Sequence, residues 1–250
     1  MVKRCLLAAD RCRGHKRRVR RLLSICASSF LTTSLVAAAV NAAEPASKSE
    51  RDDRVELAFE GAAGPVVRLG ESGFYDVTER VGLSFAAGAR LSPSPLFSLG
   101  LFYEHAALGR ETSGDDPIDR VDLTRDANAI WGTVFLHVVS TDSLRLAIAL
   151  GPGVAWQSAF AIGSYSGDSP WRSTSFTCEG SDSADLALGA GLSATVPLDG
   201  GLSFVSDARF QSYGFGTDAL GTCAAGIGTT ATVGLRAGFA YGFDVARFVR

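Results

Sequence analysis

The chain holds three histidines and five cysteines. A nucleophilic or metal-assisted site has to be assembled around them. A serine hydrolase needs a histidine within reach of a serine, with a third group orienting the ring. His137 and Ser140 are three residues apart, so on an extended chain they point to opposite faces. His105 follows Glu104 and is opposed to it in the same way. No histidine or cysteine spacing matches a zinc site, so neither metal nor cofactor is expected. The stretch "GRETSGDDPIDRVDLTRD" gathers Asp115, Asp116, Asp119, Asp122 and Asp126. Carboxylates bind calcium, but the regular spacing of a calcium loop is missing, and a solvated acidic loop accounts for the run. The glycines of "GAGLSATVPLDGG" alternate within a strand pattern and precede no Lys-Ser/Thr pair, so they are not a phosphate loop.

The elements that would position any site begin with a leader. Residues 1–21 carry nine basic residues against one acid, Asp10. An apolar run from Leu22 to Val40 and the small residues of "VNAAEPA" follow. This is the plan of a secretory signal over residues 1–43, cleaved near Ala42 or Ala43. An uncleaved anchor is the rival, since about 20 apolar residues span a bilayer. A lipoprotein signal ending at Cys26 is disfavoured by the bulky Ile25 before it. The whole chain has 24 basic and 26 acidic residues, and removing the leader leaves 15 and 25, with Lys48 the one remaining lysine. So acidic a chain does not suit nucleic acid, whose phosphates need basic partners. Two cysteines then remain, Cys178 and Cys223. In an oxidising compartment an even pair reads as a disulfide, with two free thiols as the alternative.

After a polar lead-in over residues 44–53, the apolar period is two rather than 3.6. Strands are expected at about 54–63, 80–91, 96–106, 126–139, 143–157, 184–196, 202–213 and 228–243. In the second, Val81, Leu83, Phe85, Ala87, Ala89 and Leu91 oppose Arg80, Gly82, Ser84, Ala86, Gly88 and Arg90. The fourth has apolar residues on both faces. Ile130, Val134, Leu136 and Val138 stand against Trp131, Phe135 and His137, so its orientation stays open. Connections after the even strands are short ("SPSP", "STD", "PLDGG"), and those after the odd strands are long. Eight strands of this length, with short turns at one end and long loops at the other, predict an all-β, transmembrane, antiparallel up-and-down β-barrel over residues 54–243. A tail over 244–250 follows. Both retained cysteines fall in long loops, at the same end.

Alternation also fits a soluble barrel with its apolar face inward. Three features favour the inverse. The polar face is rich in Gly, Ala and Ser, as a narrow interior requires. Aromatics sit near strand ends, at Phe59, Tyr103, Trp156, Phe204, Phe210, Tyr241 and Phe243. The leader directs the chain towards an outer membrane. The inward charges are then Glu56, Glu60, Arg80, Arg90, Glu104, Arg145, Asp185, Asp207, Arg209 and Arg236. Mixed signs in a narrow lumen should pair, with Arg236 near Glu56 or Glu60 and near Asp207 or Arg209. A structural plug is the first reading of this set, and a narrow ion path is the second. A wide porin is excluded by size.

On these residues the chain resembles the small OmpA/OmpX-type outer-membrane β-barrels over about residues 54–243. The stretch "RAGFAYGF" adds a local match: Arg236, Gly238, Tyr241 and Phe243 stand where barrel-assembly machinery reads the last strand of such proteins. Members commonly end on the aromatic itself, whereas this sequence continues "DVARFVR", making Phe248 the last aromatic. The resemblance implies a monomer among outer-membrane lipid and lipopolysaccharide, in a structural or surface-interaction role. Some such barrels modify lipid A, but the histidine and serine two apart that a deacylase uses are missing. Lipid A modification, a narrow channel and a soluble periplasmic lipid-binding barrel remain the alternatives.

Overall fold

Long strands with one apolar face set the architecture. The computed structural model describes residues 55–70, 75–113, 120–166, 173–220 and 223–245. The expected leader and lead-in, Asp115, Asp116, Asp119 and Phe248 lie outside them. The wall is built from β1 (Glu56–Arg68), β3 (Val81–Ser92), β4 (Phe97–Ser113), β5 (Arg120–Ser140), β6 (Arg145–Ser166), β8 (Asp185–Pro197), β9 (Leu202–Gly214) and β12 (Thr229–Asp244). Four short strands lie in the long connections: β2 (Asp76–Glu79), β7 (Ser173–Ser181), β10 (Ala219–Leu220) and β11 (Ala224–Ala225).

Each wall strand pairs antiparallel with the next, and β12 returns to β1 with Phe59 opposite Tyr241 and Ala63 opposite Ala237. The eight wall strands therefore form a closed up-and-down ring. Closure matters in lipid, where each unpaired backbone group costs several kcal/mol. Short turns join β3 to β4, β5 to β6 and β8 to β9. The last contains a 3-10 turn at Asp199–Gly201.

Polarity is inverted relative to a soluble barrel. Leu83, Leu101 and Leu188 are 71%, 63% and 58% exposed, while Ser98, Glu104 and Arg236 are buried. Every wall strand contributes to this outward apolar belt. The 12 residues of β3 cross it, and at a strand's rise and a barrel's tilt they span about 30 Å. This is a transmembrane β-barrel. The orientation of β5, open on sequence, is fixed: Ile130, Val134, Leu136 and Val138 face outward, while Trp131 and Phe135 are fully buried within.

Beyond the belt, at the long-loop end, β4, β5 and β6 run on past the ends expected from sequence. There the pattern mixes. Leu123, Ala159 and Ala161 are buried inside, while on the outer face Asp122, Thr124 and Ser158 stand beside the exposed Phe160 and Ile162. The extension is walled further by β2 on β4 and by β7 on β6. Gly109, at φ +94°, makes the bulge between Ala107 and Arg110. The shift of phase there turns Glu111 inward. A Cβ at this position would also lie 2.0 Å from the Glu79 carbonyl oxygen, so only glycine fits.

Candidate functional site

The polar residues inside the ring fall into three layers. At the short-turn end Arg145 donates to Glu56 at 2.9 Å, and Arg90 pairs with Glu60 at 2.8 Å. The Arg90 guanidinium also lies 3.8 Å from the centre of the Phe135 ring. His137 Nε2 is 2.7 Å from Ser98 Oγ, which is 2.8 Å from Ser92 Oγ. On sequence His137 is set against Ser140 alone. The partner comes instead from the neighbouring strand, where the His137 N–H donates to the Leu96 carbonyl. Ser98 is fully buried, and His137 Nδ1 has no hydrogen-bond partner among the described residues.

The middle layer is built around Arg236 on β12. Its guanidinium meets Asp207 at 3.0 Å on β9 and Glu104 at 3.0 Å on β4, across the lumen. Gln211 donates to the same Glu104 carboxylate, and Arg209 lies 3.4 Å from Asp207. Asp207 is the register partner of Arg236. Neither Glu56 nor Glu60 takes the other side, as the sequence led one to expect. Register puts Glu60 opposite Ala240 and Glu56 opposite Asp244, a full turn of the pleat or more away, while the narrow lumen brings Glu104 within reach. Phe102, Trp131, Phe135 and Tyr213 fill the space around these charges.

The upper layer lies in the extension and was missed on sequence. Glu111 accepts from Arg68 and, at 2.8 Å, from Arg125. All three side chains are wholly buried. Arg125 also donates to the Ala225 carbonyl at 2.8 Å. Burial lowers the Arg125 pKa, and the attraction of Glu111 opposes that shift. The signal available was continued alternation past Ala63 and before Asp126, masked because both faces there mix polar and apolar residues. Of the remaining expected charges, Arg80 donates to the Gly70 carbonyl at 3.1 Å near the rim. Asp185 accepts the Gly216 N–H at 3.2 Å, holding a loop rather than a lumen cation.

Aromatics mark both edges of the belt. At the short-turn edge the Phe59 and Phe243 rings are 6.0 Å apart, and Phe204 and Phe239 are 5.8 Å apart. At the other edge Tyr103 packs 6.5 Å from Trp156 and donates to Asn128 at 2.8 Å. One row above, Asp126 is held above the ordinary carboxylate pKa by burial, opposed by His105. Along β12, Arg236 and Gly238 face the lumen, while Tyr241 is exposed on the outer face. The mouth is tied by one disulfide, Cys178–Cys223, with Cα atoms 5.4 Å apart.

Closed ring, outward apolar belt and charged narrow lumen together define an eight-stranded transmembrane barrel. No family model matches the sequence, and no curated protein matches it. Among solved structures, the chain is similar to a major outer membrane protein from Thermus thermophilus (17% identity, TM-score 0.48, 76% of this chain and 99% of that one). It is also similar to OprG from Pseudomonas aeruginosa (11%, 0.44, 77% and 98%). A third is Ail, the attachment invasion locus protein of Yersinia pestis (15%, 0.38, 76% and 99%). At these identities and scores the likeness carries nothing about role.

Proposed function

We propose that this protein is an integral bacterial outer-membrane barrel whose lumen is closed by its own side chains, and that it serves envelope structure or loop-mediated surface contact rather than catalysis. The observation that carries this reading is the Arg236–Glu104–Asp207 layer, which bridges opposite walls and is packed round by Trp131, Phe135 and Tyr213. Charges paired across so narrow a ring leave no continuous water path. The leader directs export, with cleavage near Ala42 or Ala43, and β12 carries the stretch that assembly machinery reads. The belt contacts outer-membrane lipid and, in the outer leaflet, lipopolysaccharide. A ring with no open edge in the belt needs no second subunit, so the protein acts as a monomer.

The test is membrane fractionation followed by planar-bilayer recording of the purified protein. Recovery in the outer membrane without conductance steps supports the reading. Recovery in the soluble periplasm, or steady ion steps, refutes it.

A further inference from the structure

Between β9 and β12, Phe215, Leu220 and residues 224–228 pack into the barrel mouth, while Thr217, Asp218 and Ala219 stay exposed. Phe215, Leu220, Ala224 and Ile227 are all buried there. The wall that receives them is made of small side chains: Ala127 and Ala129 on β5, Ala155, Ala159 and Ala161 on β6, and Ala187 on β8. Bulk on the insert is matched by its lack on the wall. Polar groups of the wall hold the insert by its backbone. Gln157 donates to the Gly216 carbonyl and accepts the Ile227 N–H, both at 3.3 Å, and Arg125 holds Ala225. The Phe215 ring lies flat on the Tyr213 ring, 5.1 Å between centres and 4° between planes.

The neck of this insert is glycine. The Gly228 N–H donates to the Gly216 carbonyl at 3.1 Å, and Gly228 has φ +68°. A Cβ on Gly226 would lie 2.3 Å from that same carbonyl oxygen. Such a neck can hinge, since glycine adopts either hand of backbone at low cost. The far end of the insert is fastened covalently, Cys223 to Cys178 on β7. Both cysteines keep part of their surface in solvent while packing against Ala161 and Leu220.

We propose that residues 215–220 and 223–228 form a hinged cap, that the Cys178–Cys223 disulfide is its latch, and that the chamber beneath takes a small planar apolar molecule in place of Phe215 on the face of Tyr213. Opening is thiol–disulfide exchange. One small thiolate attacks a cysteine sulfur, the other cysteine leaves as a thiolate, and a second small thiol resolves the mixed disulfide. Two protein thiols and one small disulfide result. With the cap raised, water would face the alanine wall and the Tyr213 ring beside Arg125 and Gln157, and an apolar ligand over the alanine and aromatic part replaces it favourably. The Arg236 layer beneath Tyr213 remains the floor, so the chamber is a dead end for ions. In that respect the proposal rests on the closed-lumen reading.

The experiment uses the whole protein in phospholipid nanodiscs, oxidised or treated with dithiothreitol, with N-phenyl-1-naphthylamine as the probe and empty nanodiscs as background. Reduction is expected to speed amide exchange at Ile227 and Gly228 at least tenfold and to create saturable probe binding at least tenfold tighter than before. Ala187→Leu, which fills the chamber, is expected to keep the faster exchange and lose the binding. Unchanged exchange and binding on reduction overturn the proposal. So does an Ala187→Leu variant that binds like the parent, or a barrel that loses its heat-modifiable gel mobility on reduction, because the bond would then hold the barrel and not the cap. Ion current through the reduced protein, with probe binding intact, would refute the closed lumen and leave the cap standing.

Discussion

Arg236→Met removes the cation that two carboxylates share. In the folded barrel the Arg236 side chain is 3% exposed, Glu104 2% and Asp207 12%. After the change Asp207 keeps Arg209 at 3.4 Å, but among the described residues Glu104 keeps the uncharged Gln211 as its hydrogen-bond partner and feels Arg209 from farther off. Removing one partner of a buried pair leaves the other charge stranded, at a cost of about 3–5 kcal/mol. For a domain of this size each kcal/mol lowers the unfolding midpoint by about 2–4 °C, so a drop of about 6–20 °C is expected. The assay is thermal unfolding of protein refolded in detergent, followed by loss of fast mobility on an unheated gel. Refolding without cellular machinery separates stability from any role of Arg236 in assembly. The double variant Arg236→Met, Glu104→Gln removes the stranded charge and should recover a good part of the loss. A single variant that melts with the parent, or a double variant that loses the sum of two independent costs, refutes the claim that these groups form one coupled layer.

Other consequences are as direct. Leu101→Arg puts a charge in the middle of the lipid-facing belt, and should destabilise the barrel by about 2–4 kcal/mol in bilayers, measured by urea titration in vesicles. Gly109→Val should cost about 1–3 kcal/mol from its left-handed backbone alone, beyond the collision with the Glu79 carbonyl. Gly61→Ala, where an added Cβ meets nothing within 4 Å, should leave the same melting curve unchanged. Cys223→Ser opens a loop of 45 residues, and the chain-entropy cost is about 4 kcal/mol if the mouth unfolds together with the barrel. A smaller loss confined to the cap, seen as a separate early phase in hydrogen exchange, is the outcome the hinged cap requires.

The belt was legible because lipid imposes one rule on every strand that crosses it. Leu83, Leu101, Leu188 and Leu235 alternate with small or charged residues, and long and short connections give their direction. Strand β5 resisted because its inward face carries Trp131 and Phe135. These bulky residues join Phe102 and Tyr213 among the lumen's charged and small side chains, so both faces of β5 look apolar. The extension resisted because both of its faces are mixed, Asp122 and Thr124 beside Phe160 and Ile162 outside and Leu123 beside Arg125 inside, which on sequence reads as the end of a strand. The Gly109 bulge then changes phase, and this hid Glu111 and with it the Arg68–Glu111–Arg125 layer. A partner across the lumen, as Glu104 is to Arg236, depends on barrel width, and a partner on the next strand, as Ser98 is to His137, on register, and no local pattern encodes either. The cap resisted too: "YGFGTDALGTCAAGIG" has the composition of a solvated loop, and only the alanine wall facing it explains its Phe215, Leu220 and Ile227.

The central claim is that the leucine-rich face meets lipid and the charged face meets itself. Methyl-labelled leucine NMR of the protein in nanodiscs tests this most directly, through magnetisation transfer from lipid acyl chains. Transfer is expected to Leu99, Leu101, Leu188 and Leu235, all exposed on the outer wall, and none to Leu108 and Leu123, buried inside. Transfer to Leu108 and Leu123, or its absence from the four outer leucines, would contradict it.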